Sequence, residues 1–261
     1  MDDIEKLDVD GLRRALSGQV VGSRVYYHAL LSSTMDETRR LAAQGEPEGA
    51  VVFAEEQTSG RGRFSRVWIS PPGLNLSFSV LFRPEKEKLP YINMAAALAV
   101  CDTAADLAGL TATIKWPNDV RVGGKKLSGI LVETEVVGNE IDHAVVGIGM
   151  NVNLDAGRYP EIADIATSLK IEDGREFDRS RALQLVLEHL DRYYAQIRSG
   201  RSLTTEWAAK MDTLGMFVRI GWRDKIIEGT AEAVDDQGNL ILRQPDGSTI
   251  EVVAGEVTLQ V

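Results

Sequence analysis

The sequence predicts an α+β fold in two unequal parts: a mixed sheet with helices over residues 1–212, then a small all-β unit over residues 213–261. Three observations carry this. Segments with helical and with strand periodicity alternate along the first part. From Gly215 the helical pattern stops, and short runs (FVRIGW, IEGTAEAV, NLILRQ, STIEVVAG, VTLQV) are divided by Asp236-Gln237-Gly238-Asn239 and Pro245-Asp246-Gly247. Short strands with tight turns in so brief a stretch suggest an SH3-like barrel. Third, 261 residues suffice to bury one large core and one small one.

The elements follow in order. Acids open a short helix over residues 8–16, which stops near Gly18. Residues 25–31 (VYYHALL) read as a strand. Ser33…Asp36 and Thr34…Glu37 form two overlapping capping boxes, so a helix runs to about Gln44 and ends at Gly45. Residues 49–57 are a strand, and residues 74–82 (LNLSFSVLF) alternate apolar and polar as a half-buried strand does. The longest helical stretch covers residues 89–109. Strands follow at 111–115, 127–137 and 140–153, the last two joined by Gly138-Asn139, a hairpin signal. Residues 178–196 are helical, with Leu183, Val186, Leu187, Leu190 and Tyr194 on one face. A last helix covers residues 203–211.

Composition excludes several classes. Lys and Arg total 29 against 39 Asp and Glu, a net charge of −10, which disfavours general nucleic-acid binding. No apolar run is long enough to span a membrane. The acidic start MDDIEKLDVDGLRRAL lacks the features of a signal peptide, so the cytoplasm is the expected location. The single cysteine, Cys101, sits at helical spacing with Met94, Leu98 and Ala105 and reads as a buried, inert thiol. His28, His143 and His189 are far apart and form no ligand spacing, so no transition-metal site is expected.

Against this acidic background, residues 58–84 carry Arg61, Arg63, Arg66 and Arg83 and no acid. In Gly60-Arg61-Gly62-Arg63-Phe64-Ser65-Arg66-Val67-Trp68, glycines let backbone approach a ligand and guanidinium groups supply bidentate partners for phosphate or carboxylate. A solvated basic loop remains the alternative. The segment is no dinucleotide fingerprint, since Ser65 stands where a third glycine is needed, and no P-loop occurs. In Lys115-Trp116-Pro117-Asn118-Asp119, a cation and a large ring stand beside turn residues. That suits a nucleotide through stacking, charge neutralisation and a carboxylate for a divalent metal. Gly123-Gly124-Lys125-Lys126 turns into a strand with Lys126 at its beginning, and Gly129 within that strand signals a close neighbour. Gly147 and Gly149 leave one strand surface open ahead of Asn151 and Asn153. A solubilised hairpin and a glycine-rich core strand are the plain readings of these last two.

Together the segments resemble the biotin–protein ligase family. Its hallmarks GRGRxGRxW, KWPND, [RK]KxxGIL and GxGxN stand here in the same order as GRGRFSRVW, KWPND, KKLSGIL and GIGMN. Ser33-Thr34 before a helix, Ala166-Thr167-Ser168-Leu169 and Gly255-Glu256-Val257 fit as well. The resemblance implies a catalytic domain like that shared by biotin ligases and class II aminoacyl-tRNA synthetases. It implies an ATP-dependent ligase that makes biotinyl-5′-AMP and transfers biotin to a lysine of a biotin carboxyl carrier domain. ATP, Mg²⁺ and biotin would be needed, and no tightly bound prosthetic group.

By the same resemblance, Ser33, Thr34, Met35 and Gln57 would bind the ring end of biotin. Gly60, Arg61, Gly62 and Arg63 would form a loop closing over it, with Lys126 and Gly129 beneath its carboxylate. Arg63, Arg66, Trp68, Lys115, Asn118, Asp119, Lys126 and Asn151 would hold ATP. Lys126, Arg63 and Asp119 would be catalytic, and Asp119 is the candidate Mg²⁺ ligand. Two departures stand out. Ser65 replaces the usual loop glycine, and Phe64 sits where a polar or basic residue is common, so altered loop mobility is expected rather than lost chemistry. Members that also repress transcription carry an N-terminal winged-helix domain. The segment before Ser33 is too short for one, so neither DNA binding nor repression is expected. Pairing of two copies through sheet edges is left open. A lipoate–protein ligase or octanoyltransferase is the nearest rival, and its family has different strand motifs.

Overall fold

The computed structural model describes residues 6–222, 225–253 and 256–259. Its main sheet has seven strands in the order β1-β2-β3-β7-β6-β5-β4. These are β1 (Arg24–Leu31), β2 (Ala50–Gln57), β3 (Leu76–Phe82), β4 (Thr113–Lys115), β5 (Asp119–Val122), β6 (Lys125–Val137) and β7 (Glu140–Met150). Of its neighbouring strands, β1 and β2 pair in parallel and the rest antiparallel. A parallel pair needs a crossover, and α2 (Thr34–Ala43) supplies it.

Because side chains alternate across a strand, register decides what each face carries. Ile130, Ile148, Phe78 and Phe53 form one row across β6, β7, β3 and β2, each at most 2% exposed. That face packs in one apolar cluster with α3 (Leu89–Ala108) and α5 (Arg179–Arg198). Burying each such side chain stabilises by about 1.5–3 kcal/mol. The flanking rows point the other way. They read Asp119–Gly129–Gly149–Ser77 and Leu131–Gly147–Ser79–Val52. One face of the sheet is therefore a core, and the other is a strip of glycine and serine. α2 covers part of that second face, packing Met35 and Ala42 with Leu81 and Val145.

Beyond α1 (Val9–Ala15), α4 (Leu169–Asp173) and α6 (Thr204–Ala209), the chain enters a second, antiparallel sheet in the order β11-β10-β9-β8-β12. Its strands are β8 (Phe217–Trp222), β9 (Lys225–Val234), β10 (Leu240–Arg243), β11 (Thr249–Val252) and β12 (Glu256–Leu259).

Several sequence expectations need correction. Asn118-Asp119 is not simply a turn: Asp119 opens β5, a strand too short and polar to show periodicity. β4 begins at Thr113, and β7 ends at Met150 rather than Asn153. The five-residue α4 carried no helical signal in the sequence. Ser33 does cap α2, but through the Met35 N–H at 3.3 Å, while Asp36 turns outward to arginines. Cys101 is buried, and burial pushes its thiol up to about 12, as an inert thiol requires. Gly255 lies outside the described residues. Among the described residues no helix is long and apolar enough to cross a membrane.

Candidate active site

The glycine and serine rows form the floor of a cavity of about 540 Å³. Its width from β3 to β5 is three strand spacings, about 14 Å. The floor stays empty because its residues have almost no side chains, and what fills part of it is Trp68. A Cβ on Gly149 would lie 2.3 Å from the Trp68 ring, and one on Gly129 would lie 3.5 Å from it. A Cβ on Gly147 would lie 2.7 Å from the Met35 sulfur. Close approach thus keeps Gly149 and Gly147 without side chains, whatever their backbone angles, while a Cβ on Gly129 would press on Lys126 Cε at 2.9 Å.

At the β2–β3 side stands an uncharged cluster. Gln57 Oε1 accepts from the Thr34 backbone N–H at 2.9 Å and from its hydroxyl at 3.2 Å. The Thr34 and Ser79 hydroxyls are 2.7 Å apart. A hydroxyl has one proton, so Ser79 donates to Thr34 while Thr34 donates to Gln57. These side chains orient each other and leave the Gln57 amide nitrogen for a ligand carbonyl.

The arginine-rich segment folds as a hairpin over the floor. Trp68 N–H donates to Gly60 at 3.1 Å and Gly62 N–H to Arg66 at 2.7 Å. A Cβ on Gly60 would come 3.1 Å from the Trp68 carbonyl, so glycine is what closes the hairpin base. Arg61 does not point into the cavity as a spare cation. Its guanidinium grips Asp36 of α2 at 2.7 and 3.1 Å and Glu133 of β6 at 3.4 Å. Arg63 donates to Asn118 Oδ1 at 3.1 Å, and Asn118 in turn donates to the Ile130 carbonyl at 2.7 Å. At the tip Phe64 adopts φ 55°, ψ 37°, a left-handed conformation costing a non-glycine residue about 1–2 kcal/mol. The departure that strains this loop is therefore Phe64, which has positive φ.

At the β5–β6 side the charge is positive. Lys126 Nζ lies 2.7 Å from Asp119 Oδ1 and 5.8 Å from the Trp68 ring centroid. Burial lowers the pKa of Arg63 and of Lys115, with the Asp119 charge opposing it in both. Buried cations without enough counter-charge invite an anion. Among the described residues no group of three or more His, Cys, Asp or Glu could hold a metal ion by itself. Asp119 could bind one only together with ligand oxygens.

The cavity lining brings together every sequence-selected site residue except Gly60, which supports the loop from below. Asn151 lines it, yet its amide donates to the Thr167 carbonyl at 2.9 Å, so much of its capacity goes to bracing the segment after β7. Trp116 behaves differently from the stacking ring expected of it. It is 2% exposed, and its indole N–H donates to the Gly238 carbonyl in the small β unit at 2.9 Å. Trp68 is the ring on the cavity floor. Sequence reasoning missed Ser77, Ser79, Asp36 and Glu133, along with Ile162, Asp164 and Ile165 of the cavity wall. Val257 of β12 also reaches the lining.

Known proteins share this architecture. Residues 27–151 match the biotin/lipoate A/B protein ligase family, and residues 213–259 match the biotin protein ligase C-terminal domain. The chain is 35% identical over 247 residues to the bifunctional ligase/repressor BirA of Bacillus subtilis, covering 93% of this chain and 76% of that one. It is 35% identical over 239 residues to the biotin--[acetyl-CoA-carboxylase] ligase of Paracoccus denitrificans, covering 88% of this chain and 98% of that one. Among solved structures, the biotin protein ligase from Aquifex aeolicus in complex with biotin and ATP matches with a TM-score of 0.78 at 29% identity. The match covers 91% of this chain and 98% of that one. Likeness of this extent, running through both the mixed sheet and the small β unit, makes the chain a member of the biotin protein ligase family.

Proposed function

We propose that this enzyme condenses biotin with ATP to biotinyl-5′-AMP, releasing pyrophosphate, and then passes the biotinyl group to a lysine of a biotin carboxyl carrier domain. The observation that carries the reading is the polarity of the cavity. Its uncharged cluster of Ser33, Thr34 and Gln57 suits a neutral ureido ring, and its cationic side of Arg63, Lys115 and Lys126 suits a carboxylate meeting a triphosphate. The narrow floor between them suits a flat bicyclic ligand with an aliphatic tail.

In the first step a biotin carboxylate oxygen attacks the α-phosphorus and pyrophosphate leaves. Two anions approach, so cations must offset their repulsion and the charge growing on phosphate oxygens. Arg63 and Lys126 serve there, with Lys115 and Asn118 on the phosphates and Arg66, Trp68 and Asn151 toward the nucleoside. Met35, Gly62 and Gly129 shape the walls and floor around the ligand. Mg²⁺ fits as a companion of the nucleotide, because one carboxylate with phosphate oxygens is its usual setting. Asp119 would hold it there, and bound Mg²⁺ would supply charge neutralisation. The acyl-adenylate is a mixed anhydride that water destroys, and the hairpin of residues 60–68 excludes water by lying over it. In the second step the carrier lysine attacks the biotinyl carbonyl and AMP leaves. Asp119 is assigned the positioning or deprotonation of that amine.

Mg²⁺-dependent ATP–pyrophosphate exchange tests the proposal when run with biotin, with lipoate or octanoate, and with no acid. Exchange with biotin alone is expected. Exchange with lipoate instead would move the chain to the sister ligases, and none from folded protein would overturn the reading.

A further inference from the structure

The turn between β9 and β10 of the small β unit reaches the nucleotide side of the cavity through a hydrogen bond to Trp116. Trp116 lies between Lys115 and the pair Asn118 and Asp119, all three of which line the cavity. Its backbone N–H donates to Thr213 Oγ1 at 2.9 Å, and Asn93 Nδ2 holds the next carbonyl, that of Pro117, at 2.8 Å. Its indole N–H donates to the Gly238 carbonyl at 2.9 Å. The segment is therefore clamped from Thr213 after α6, from α3 and from the turn between β9 and β10.

That turn is constructed to deliver one carbonyl. Asp235 Oδ1 accepts from the Gln237 N–H at 2.8 Å and the Asn239 N–H at 2.9 Å, while Asp235 Oδ2 accepts from Asn239 Nδ2 at 2.9 Å. The backbone closes as well, with the Gly238 N–H on the Asp235 carbonyl at 2.9 Å. Gly238 has φ +78°, and a Cβ there would lie 2.8 Å from the Met94 methyl, so the turn sits hard against α3 with no room to slide. A turn satisfied by its own side chain and wedged in place presents the Gly238 carbonyl at a fixed point.

We infer that the β9–β10 turn positions the Lys115–Asp119 segment for ATP, with Trp116 as the lever and Asp235 as a positioning residue remote from any ligand. This rests on the function proposed above. The β9–β10 turn then sets nucleotide affinity from outside the cavity lining. Asp235→Ala loosens the turn and should raise the KM for ATP in biotin-dependent pyrophosphate exchange about 5–10-fold, the fold-change corresponding to one buried hydrogen bond. The biotin Kd, read from tryptophan fluorescence, should stay within about 2-fold of the wild type because the uncharged cluster lies on the other side of the cavity. Asp235→Asn keeps the Oδ1 acceptor for the Gln237 and Asn239 N–H groups, though its amide cannot accept from Asn239 Nδ2, and should restore most of the ATP KM. Trp116→Phe keeps one aromatic ring in place but removes the indole N–H with the five-membered ring. It should therefore raise the ATP KM at least as far as Asp235→Ala, and the double variant should be no worse than Trp116→Phe alone.

Additive effects in the double variant would overturn the inference. So would equal losses in ATP and biotin binding, which mark simple destabilisation, or failure of Asp235→Asn to rescue. Absence of exchange by the wild-type chain would sink the function reading and this inference with it. Normal wild-type exchange with an unchanged ATP KM in folded Asp235→Ala would sink the inference alone.

Discussion

Arg61 ties the hairpin of residues 60–68 to α2 and β6, and Asp36→Asn removes the better part of its counter-charge. Arg61 reaches Asp36 with two hydrogen bonds, at 2.7 and 3.1 Å; in the asparagine variant one amide oxygen can still accept, but the remaining counter-charge is Glu133 at 3.4 Å. Two unit charges 4 Å apart attract by about 4 kcal/mol at an effective dielectric of about 20 and about 1 kcal/mol in water. Asp36 is 41% exposed and Arg61 29%, so solvent screening brings the net figure toward the lower value, about 1 kcal/mol. If closing the hairpin over biotin uses this pair, its loss raises the biotin dissociation rate about 5-fold. Stopped-flow tryptophan fluorescence would follow it, since Trp68 lies on the cavity floor. The wild-type rate should climb with salt and the variant's much less.

A pH titration near neutrality would not reveal this pair. Hydrogen bonding to Arg61, then to Arg39, holds the Asp36 carboxyl below the ordinary carboxylate range. A depressed carboxylate contributes its stability above its unfolded pKa of about 3.9, and loses it only as the pH falls through the lower folded value. Between about pH 6 and 8 the pair is fully formed. A dissociation rate that Asp36→Asn leaves unchanged, in low salt and in a folded variant, would refute the idea that Arg61 acts as the anchor.

Gly149→Ala should weaken biotin and ATP binding roughly 5- to 100-fold, because its Cβ would lie 2.3 Å from the Trp68 ring and overpacking costs about 1–3 kcal/mol. Gly221→Ala, with nothing within 4 Å, is the silent control in the same titration. Burial lowers the pKa of Lys115, so raising the pH strips its charge earlier than from an ordinary lysine near 10.4. The KM for ATP should therefore rise below about pH 10, and Lys115→Arg should abolish that rise. Glu55 and Arg179 form an ion pair with both side chains 5% exposed, bonded at 2.7 and 3.1 Å. Arg179→Met leaves the carboxylate buried and unpaired and should cost about 3–5 kcal/mol in denaturant unfolding, most of it recovered by adding Glu55→Gln.

The motif residues could be read from sequence because each is a side-chain identity at a fixed offset, and nearly all of them meet in one cavity. What escaped belongs to relations between distant strands. Gly129 and Gly149 could be suspected singly, but that they face each other and continue into Asp119 and Ser77 depends on the strand order β3-β7-β6-β5. Asp36 looked like an acid of a capping box, and its engagement with Arg61 spans 25 residues of sequence and a loop. Trp68 and Trp116 each stand beside basic residues, and composition offers no means to tell them apart. The difference is made by a turn 122 residues downstream from Trp116, whose carbonyl takes the indole and leaves Trp68 as the ring on the floor. β5 and α4 are four and five residues long, below the length at which periodicity distinguishes a strand or helix from a turn.

The Lys126–Asp119 pair ties these points to chemistry. Without ligand, Asp119 is the carboxylate that balances Lys126 at 2.7 Å, and an arriving biotin carboxylate must compete with it. A hydrogen bond to a charged group contributes about 1.5–3 kcal/mol, so Asp119→Asn should tighten biotin binding, by up to about 10-fold once the partial exposure of both side chains is allowed for. The second step runs the opposite way. A carrier lysine must shed a proton to attack, and an amide cannot take it, so transfer from preformed biotinyl-5′-AMP should slow in the same variant. Opposite signs on the two measurements separate this account from simple damage, which would weaken both. Transfer left intact in Asp119→Asn would remove Asp119 from the second step, and weaker biotin binding would mean that its pairing with Lys126 supports the ligand site instead of competing for it.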